Sequence, residues 1–121
     1  GGIIIGYEIG RILNIETIFV ERVNNSFQIR RGFEMNKNHK ILVVEDVITT
    51  GKSSLECSSL AQKCGAEVIG FASLIDRTGG KSKINKKIVS QVKLNISTFT
   101  TDNVPENLKK LKAIKPGSRN L

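Results

Sequence analysis

Apolar residues at positions 3, 4, 5, 9, 12 and 13 recur at helical spacing, so Ile3 to Leu13 is expected to form an amphipathic helix. Gly6 and Gly10, four apart, suit a helix lying close on a sheet. The run Thr17-Ile18-Phe19-Val20 is short and rich in β-branched residues, as a buried strand would be, and Glu21-Arg22 ends it with charge. Asn24-Asn25-Ser26 is turn chemistry between Phe19 to Val23 and Phe27 to Arg31, which predicts a hairpin across residues 19–35. Its second arm alternates Phe27, Ile29 and Arg31 against Gln28 and Arg30, a pattern that fits an exposed flap better than core.

Beyond a polar turn at Asn36 to His39, three segments read as one unit: an apolar strand from Lys40 to Val44, a helix from Ser53 to Cys64, and a second apolar strand from Val68 to Ile75. Near-continuous apolar strands imply burial on both faces, hence an α/β fold with a parallel sheet, helices on each side and right-handed crossovers. Thr78-Gly79-Gly80 breaks the pattern, and Val92 to Ile96 is a weaker last strand before a short helix near Pro105 to Leu111. With no repeat and no long linker, residues 1–121 read as a single domain. Open α/β sheets bind ligands beyond the carboxyl ends of their strands, which directs attention to the loops after Val44 and Ile75.

Composition changes this picture little. At 39% hydrophobic and 25% charged, the 121 residues suit a globular domain. Ile3-Ile4-Ile5 is far short of the roughly 20 residues a membrane helix needs, and no signal peptide opens the sequence, so no membrane association and a cytoplasmic location are expected. The start at Gly1 rather than Met suggests a cut chain. Cys57 and Cys64 fall on one helix face about 10 Å apart along the axis, out of disulfide reach, and read as small buried hydrophobes. His39, the only histidine, has no neighbouring ligand type.

The formal charge of +8 is uneven: residues 1–76 hold 8 basic and 9 acidic groups, residues 77–121 hold 11 and 2. Lys81, Lys83, Lys86 and Lys87 lack interleaved aromatics or a nucleic-acid motif, and read as a solvated face attractive to polyanionic metabolites, not as a nucleic-acid site.

The densest chemistry is the run Val44-Glu45-Asp46-Val47-Ile48-Thr49-Thr50-Gly51-Lys52-Ser53. Thr49 to Ser53 can aim backbone N–H groups and hydroxyls at a phosphate on a helix N-terminus. Carboxylates would repel that phosphate, so Glu45 and Asp46 suit the vicinal hydroxyls of a sugar, and they lie where positive charge grows if C1 of a ribose becomes oxocarbenium-like. Gly51-Lys52-Ser53 could instead close a P-loop, but that motif needs glycine where this chain has Asp46.

Two hydrophobic residues, two acids, a hydrophobic pair, Thr-Thr-Gly and a hydroxyl residue together resemble the phosphoribosyl diphosphate signature of the type I phosphoribosyltransferases. Glu21-Arg22, Arg30-Arg31-Gly32-Phe33, Leu74-Ile75-Asp76-Arg77 and Lys115-Pro116-Gly117-Ser118-Arg119 narrow the resemblance to a bacterial group of orotate phosphoribosyltransferases. That resemblance implies a parallel sheet flanked by helices with a flexible β-hairpin flap, lacking the N-terminal part of the family fold. It implies phosphoribosyl transfer from phosphoribosyl diphosphate to orotate, giving orotidine 5′-monophosphate and pyrophosphate, in a homodimer. Glu45, Asp46 and Arg22 would be catalytic. Arg22, Glu45, Asp46, Val47, Ile48, Thr49, Thr50, Gly51, Lys52 and Ser53 would bind the donor, Thr49 and Arg77 would bind orotate, and Gly1-Gly2 would be the remnant of a pyrophosphate loop. Mg²⁺ would be held mainly through substrate. No lysine or histidine lies between residues 21 and 36, so a flap lysine common in the family has no counterpart here. A purine phosphoribosyltransferase and a nucleic-acid-binding regulator on the same fold are the alternatives.

Overall fold

The computed structural model describes residues 1–97, 99–112 and 114. Helix α1 spans Ile3–Leu13, strands β1 and β2 span Val20–Val23 and Ser26–Ile29, and strand β3 spans Lys40–Ile48. Helix α2 (Lys52–Lys63), β4 (Glu67–Asp76), β5 (Ile88–Lys93) and a short α3 (Glu106–Lys109) follow. β3, β4 and β5 form a parallel sheet in that order, and β1 with β2 forms a separate antiparallel hairpin. The expected α/β architecture is therefore present. The Lys115 to Arg119 tail lies outside the described residues, and no helix among them is long and apolar enough to cross a membrane.

α1 keeps the predicted bounds, but its glycines serve a different neighbour. The chain leaves the helix through Asn14 in the left-handed conformation and folds back along it. Thr17 then donates its hydroxyl to the Gly6 carbonyl at 3.2 Å, and a Cβ on Gly10 would collide with the Thr17 side chain. The close approach to the sheet occurs instead at Gly2, which rests on the β3 backbone at Val44 and Glu45. Engaged this way, Thr17 to Phe19 do not join a strand. Pairing starts at Val20, opposite Ile29, where the hairpin partner becomes available. Asn24 and Asn25, at φ 47° and 63°, make the tight turn that their side chains predict.

The core forms where α2 covers the sheet. Val43, Ile48, Ala61, Ala66, Val68 and Phe71 are buried, with Met35, Ile41, Cys57, Ile84 and Ile88 packed against them. Gly65, at φ 85°, closes α2 and turns the chain into β4. Burial on both faces of the sheet, expected from the apolar runs, is incomplete. Leu42, Ile69, Leu74, Val89 and Val92 stay exposed, and α1, packed on β3, leaves a groove of about 450 Å³ beside β4 and β5 in which Leu74 and Val89 lie. The last strand also starts earlier than its apolar pattern suggested, since Ile88 anchors it opposite Phe71 and Val92 follows on a thinly covered stretch.

Candidate functional site

β3 does not end at Val44. It continues through Glu45, Asp46, Val47 and Ile48, paired with β4 up to Ile48 opposite Asp76, so the acidic pair belongs to the strand and the loop shrinks to Thr49-Thr50-Gly51. Parallel pairing then has a direct consequence: the chain leaves two neighbouring strands at the same level, Thr49 from β3 and Arg77 from β4. The Arg77 amide donates to the Ile48 carbonyl at 2.8 Å, which fixes the two exits together. Asp76, almost fully buried, accepts the Thr78 amide at 2.8 Å and holds the turn beyond it. Such adjacent carboxyl-terminal exits are where open sheets place their ligands.

The turn itself is shaped for an anion. Gly51 adopts φ 78°, a conformation glycine takes without Cβ strain, and its carbonyl accepts the first α-helical bond from Leu55 at 2.9 Å. No side chain caps the helix, which starts at Lys52, one residue before the expected Ser53. The leading N–H groups and the positive end of the helix dipole are thus directed at the space above the turn. The Thr50 hydroxyl accepts the Lys52 amide at 3.3 Å and braces the bend.

Thr49, Thr50, Lys52 and Arg77 line one cavity of about 1160 Å³, with Leu55, Glu56 and Ser59 from α2, Lys81 and Lys83 from the following loop, and Asn95, Ile96, Ser97 and Phe99 beyond β5. Ser53 is exposed and not part of this lining, whereas Ile48 is buried in the core and Val47 half-buried. Those last two contribute strand backbone and packing.

Glu45 and Asp46 form a second cluster with Gly1 and Gly2. Asp46 accepts the Val47 amide at 2.8 Å, and a Cβ on Gly1 would strike its carboxylate. The two glycines therefore let backbone approach the acidic pair closely. Burial raises the Glu45 pKa above the ordinary carboxylate value, the chain's amino terminus opposes that, and the Asp46 charge adds to it. Across from Glu45, burial and then the Glu45 charge push the Cys57 thiol up to about 11. Since the thiolate is the nucleophile, Cys57 in the native protein should alkylate slowly at pH 8, with a rate rising about tenfold per pH unit until the thiol ionises. Peptide mapping after timed iodoacetamide treatment measures this, and rapid labelling at pH 8 would contradict it.

Arg22 is not in the cavity lining. It stacks over Phe27 at 4.2 Å, donates to the Asn25 carbonyl at 2.7 Å and pairs with Glu56, so it meets the cavity only through that glutamate. Arg31 makes a two-point contact with Glu21 at 2.9 and 3.1 Å, and its hydrogen bonding lowers the Glu21 pKa. The hairpin arginines are thus engaged within the hairpin and with α2. His39 accepts the Asn36 amide in its polar turn and has no part in either cluster.

Several cavity residues carried no local signal. Glu56 and Ser59 are placed by helical spacing one and two turns after Lys52, and Asn95, Ile96, Ser97 and Phe99 arrive only because β5 runs parallel to β4. Lys81 and Lys83 were visible as charge but not as cavity wall.

Residues 8–109 match the phosphoribosyl transferase domain family. Over its full length the chain is 43% identical to an orotate phosphoribosyltransferase of Maricaulis maris and 44% identical to one of Parvibaculum lavamentivorans, in each case covering 62% of that relative. An orotate phosphoribosyltransferase of Novosphingobium aromaticivorans is 45% identical over 119 residues, or 61% of its length. The chain thus spans about three fifths of these relatives. Among solved structures, adenine phosphoribosyltransferase from Leishmania tarentolae superposes with a TM-score of 0.59 at 17% identity, over 74% of this chain and 56% of that one. The enzyme of the same name from Thermoanaerobacter pseudethanolicus gives 0.58 at 15% identity, over 77% and 65%. At such identities these two superpositions speak for the fold alone.

Proposed function

The chain belongs to the phosphoribosyltransferase family, and from that premise we propose that it is the donor-binding portion of an enzyme transferring phosphoribosyl from phosphoribosyl diphosphate to orotate. The products are orotidine 5′-monophosphate and pyrophosphate, a step of pyrimidine nucleotide synthesis, with a homodimer in the cytoplasm as the working form. One observation carries the reading: the uncapped Thr49-Thr50-Gly51 turn and Arg77 leave adjacent parallel strands and face one cavity. This arrangement would hold a phosphate and a second anionic group side by side.

In this reading the 5′-phosphate sits on the N–H groups and hydroxyls of Thr49 to Ser53. Glu45 and Asp46 accept the ribose hydroxyls and favour the positive charge that develops at C1 as pyrophosphate departs. The base, with its planar carboxylate, is oriented by Thr49 and by the guanidinium of Arg77, whose fork matches two oxygens. Gly1 lies against the Asp46 carboxylate and Gly2 against the strand at Val44 and Glu45, so that backbone can border the departing diphosphate. Arg22 is exchanged from Glu56 to that diphosphate when the hairpin moves. Catalysis is then positioning and electrostatics, without a protein nucleophile.

Among the described residues no three His, Cys, Asp or Glu side chains converge as a metal cage. Glu45 and Asp46 are hard oxygen donors, the ligand type that Mg²⁺ takes, and would be the side chains here to help hold it beside the substrate. The chemistry it would supply there is neutralisation of charge on the leaving diphosphate.

The test uses the full-length protein with orotate and a panel of purines, following pyrophosphate release. Turnover with orotate is expected, and Arg77→Ala should lower kcat/KM for orotate by roughly thirtyfold, from about 2 kcal/mol for a lost charged hydrogen-bond pair. Turnover with a purine alone would overturn the choice of base.

A further inference from the structure

The cavity carries more positive charge than the reaction above has used. Lys52, Arg77, Lys81 and Lys83 line it, against Glu56 as the acid in the same wall. Glu56 is already paired with Arg22, and the ion pairs among the described residues otherwise involve Arg11, Arg30, Arg31 and Lys109. The four cavity cations therefore face the space without a carboxylate partner there. A cavity of about 1160 Å³ is ample for a nucleotide, and its unbalanced charge is of the sign that gathers anions.

Local geometry says why two of these lysines are present. After Arg77 the chain reverses through Gly79 and Gly80, at φ 57° and 75°, with the Lys81 amide donating to the Thr78 carbonyl at 3.0 Å and the Gly80 amide to the Thr78 hydroxyl at 3.1 Å. Glycine takes two such successive conformations without strain. The returning segment then alternates: Lys81 and Lys83 are exposed, Ser82 and Ile84 half-buried. The half-buried pair sits on the phosphate turn, since a Cβ on Gly51 would lie 2.9 Å from the Ile84 methyl and 3.5 Å from Ser82 Cβ. Ile84 is in turn packed against the hydrophobic core, so the segment is anchored over Gly51. Lys81 and Lys83, which flank Ser82, line the same cavity as Thr49, Thr50 and Lys52.

Resting on the functional reading above, we propose that Lys81 and Lys83 bind the 5′-phosphate monoester from above, closing it between this strap and the Thr49 to Ser53 turn. The lysines act as mobile point charges on a fixed base, whereas the turn supplies directional N–H groups. Both the donor and the nucleotide product carry this group, so both are held; a nucleoside lacking the phosphate is not.

Titration calorimetry on the full-length protein tests this with phosphoribosyl diphosphate, orotidine 5′-monophosphate and orotidine, at several salt concentrations, for wild type, K81Q/K83Q and K81R/K83R. K81Q/K83Q is expected to weaken both phosphorylated ligands by about tenfold, the equivalent of one net charged contact, and to flatten the dependence of affinity on salt. K81R/K83R should stay near wild type, and orotidine should bind all three alike. An unchanged affinity and salt dependence in K81Q/K83Q, against a wild type that binds, overturns this inference alone. So does equal weakening of orotidine, which would mark a structural effect. A wild type that binds neither phosphorylated ligand overturns the functional reading and this inference together.

Discussion

Asp46→Asn in the full-length protein is expected to lower kcat by about 10²- to 10³-fold, the range seen when one preorganised electrostatic partner of a transition state is removed. The substitution is nearly isosteric, and an asparagine Oδ1 can still accept the Val47 amide that Asp46 accepts at 2.8 Å. What changes is the charge. A carboxylate attracts a ribose carbon that becomes more positive as the diphosphate leaves, and an amide does so only weakly. Ground-state binding of the donor should suffer less, because an amide oxygen still accepts from a ribose hydroxyl. The signature is thus a large fall in kcat with a small change in KM, and a melting temperature within about 2 °C of wild type. Steady-state kinetics and a thermal melt measure all three. Undiminished kcat would remove Asp46 from the chemistry and with it the central reading of the acidic pair.

Gly51→Val should fail at binding rather than at chemistry. At φ 78° a β-branched residue is strained by about 1–2 kcal/mol, and here its Cβ would also press on Ile84, which the core holds in place. The turn must therefore shift, and the N–H groups that it aims shift with it. We expect KM for phosphoribosyl diphosphate to rise about 10²-fold or more, since a misplacement near 1 Å costs that much. The prediction separates two roles of this glycine. Should Gly51→Val/Ile84→Ala restore binding, collision with the strap is the dominant fault; if it does not, backbone conformation is. Wild-type KM in Gly51→Val would show that this turn does not hold the phosphate.

These two positions differ in how they could be known. The run from Val44 to Ser53 announced itself because residue type alone limits its chemistry: two carboxylates repel a phosphate, and Asp46 stands where a P-loop requires glycine. Periodicity likewise gave α1 its bounds and the Asn24-Asn25 turn its place. Boundaries failed where a tertiary partner took over. Thr17 was claimed by Gly6 and Gly10 and left its strand, and β3 ran on to Ile48 because β4 kept pairing with it. Likewise Arg22, legible as a flap cation, was found paired to Glu56 thirty-four positions away, a contact no local pattern encodes.

The sequence by itself determined which loop is proposed to hold the sugar phosphate, the α/β class and the sign of charge downstream of Arg77, since these follow from side-chain chemistry and the periods of helix and strand. Tertiary structure decided which groups share a cavity. Parallel pairing sets Thr49 beside Arg77, and the glycine turn after Arg77 folds the chain back so that Ser82 and Ile84 cover Gly51 while Lys81 and Lys83 line the cavity. The physical reason is range. Residue identity fixes interactions within a few positions, while the juxtaposition of loops is fixed by strand order and register, which depend on the packing of the whole sheet.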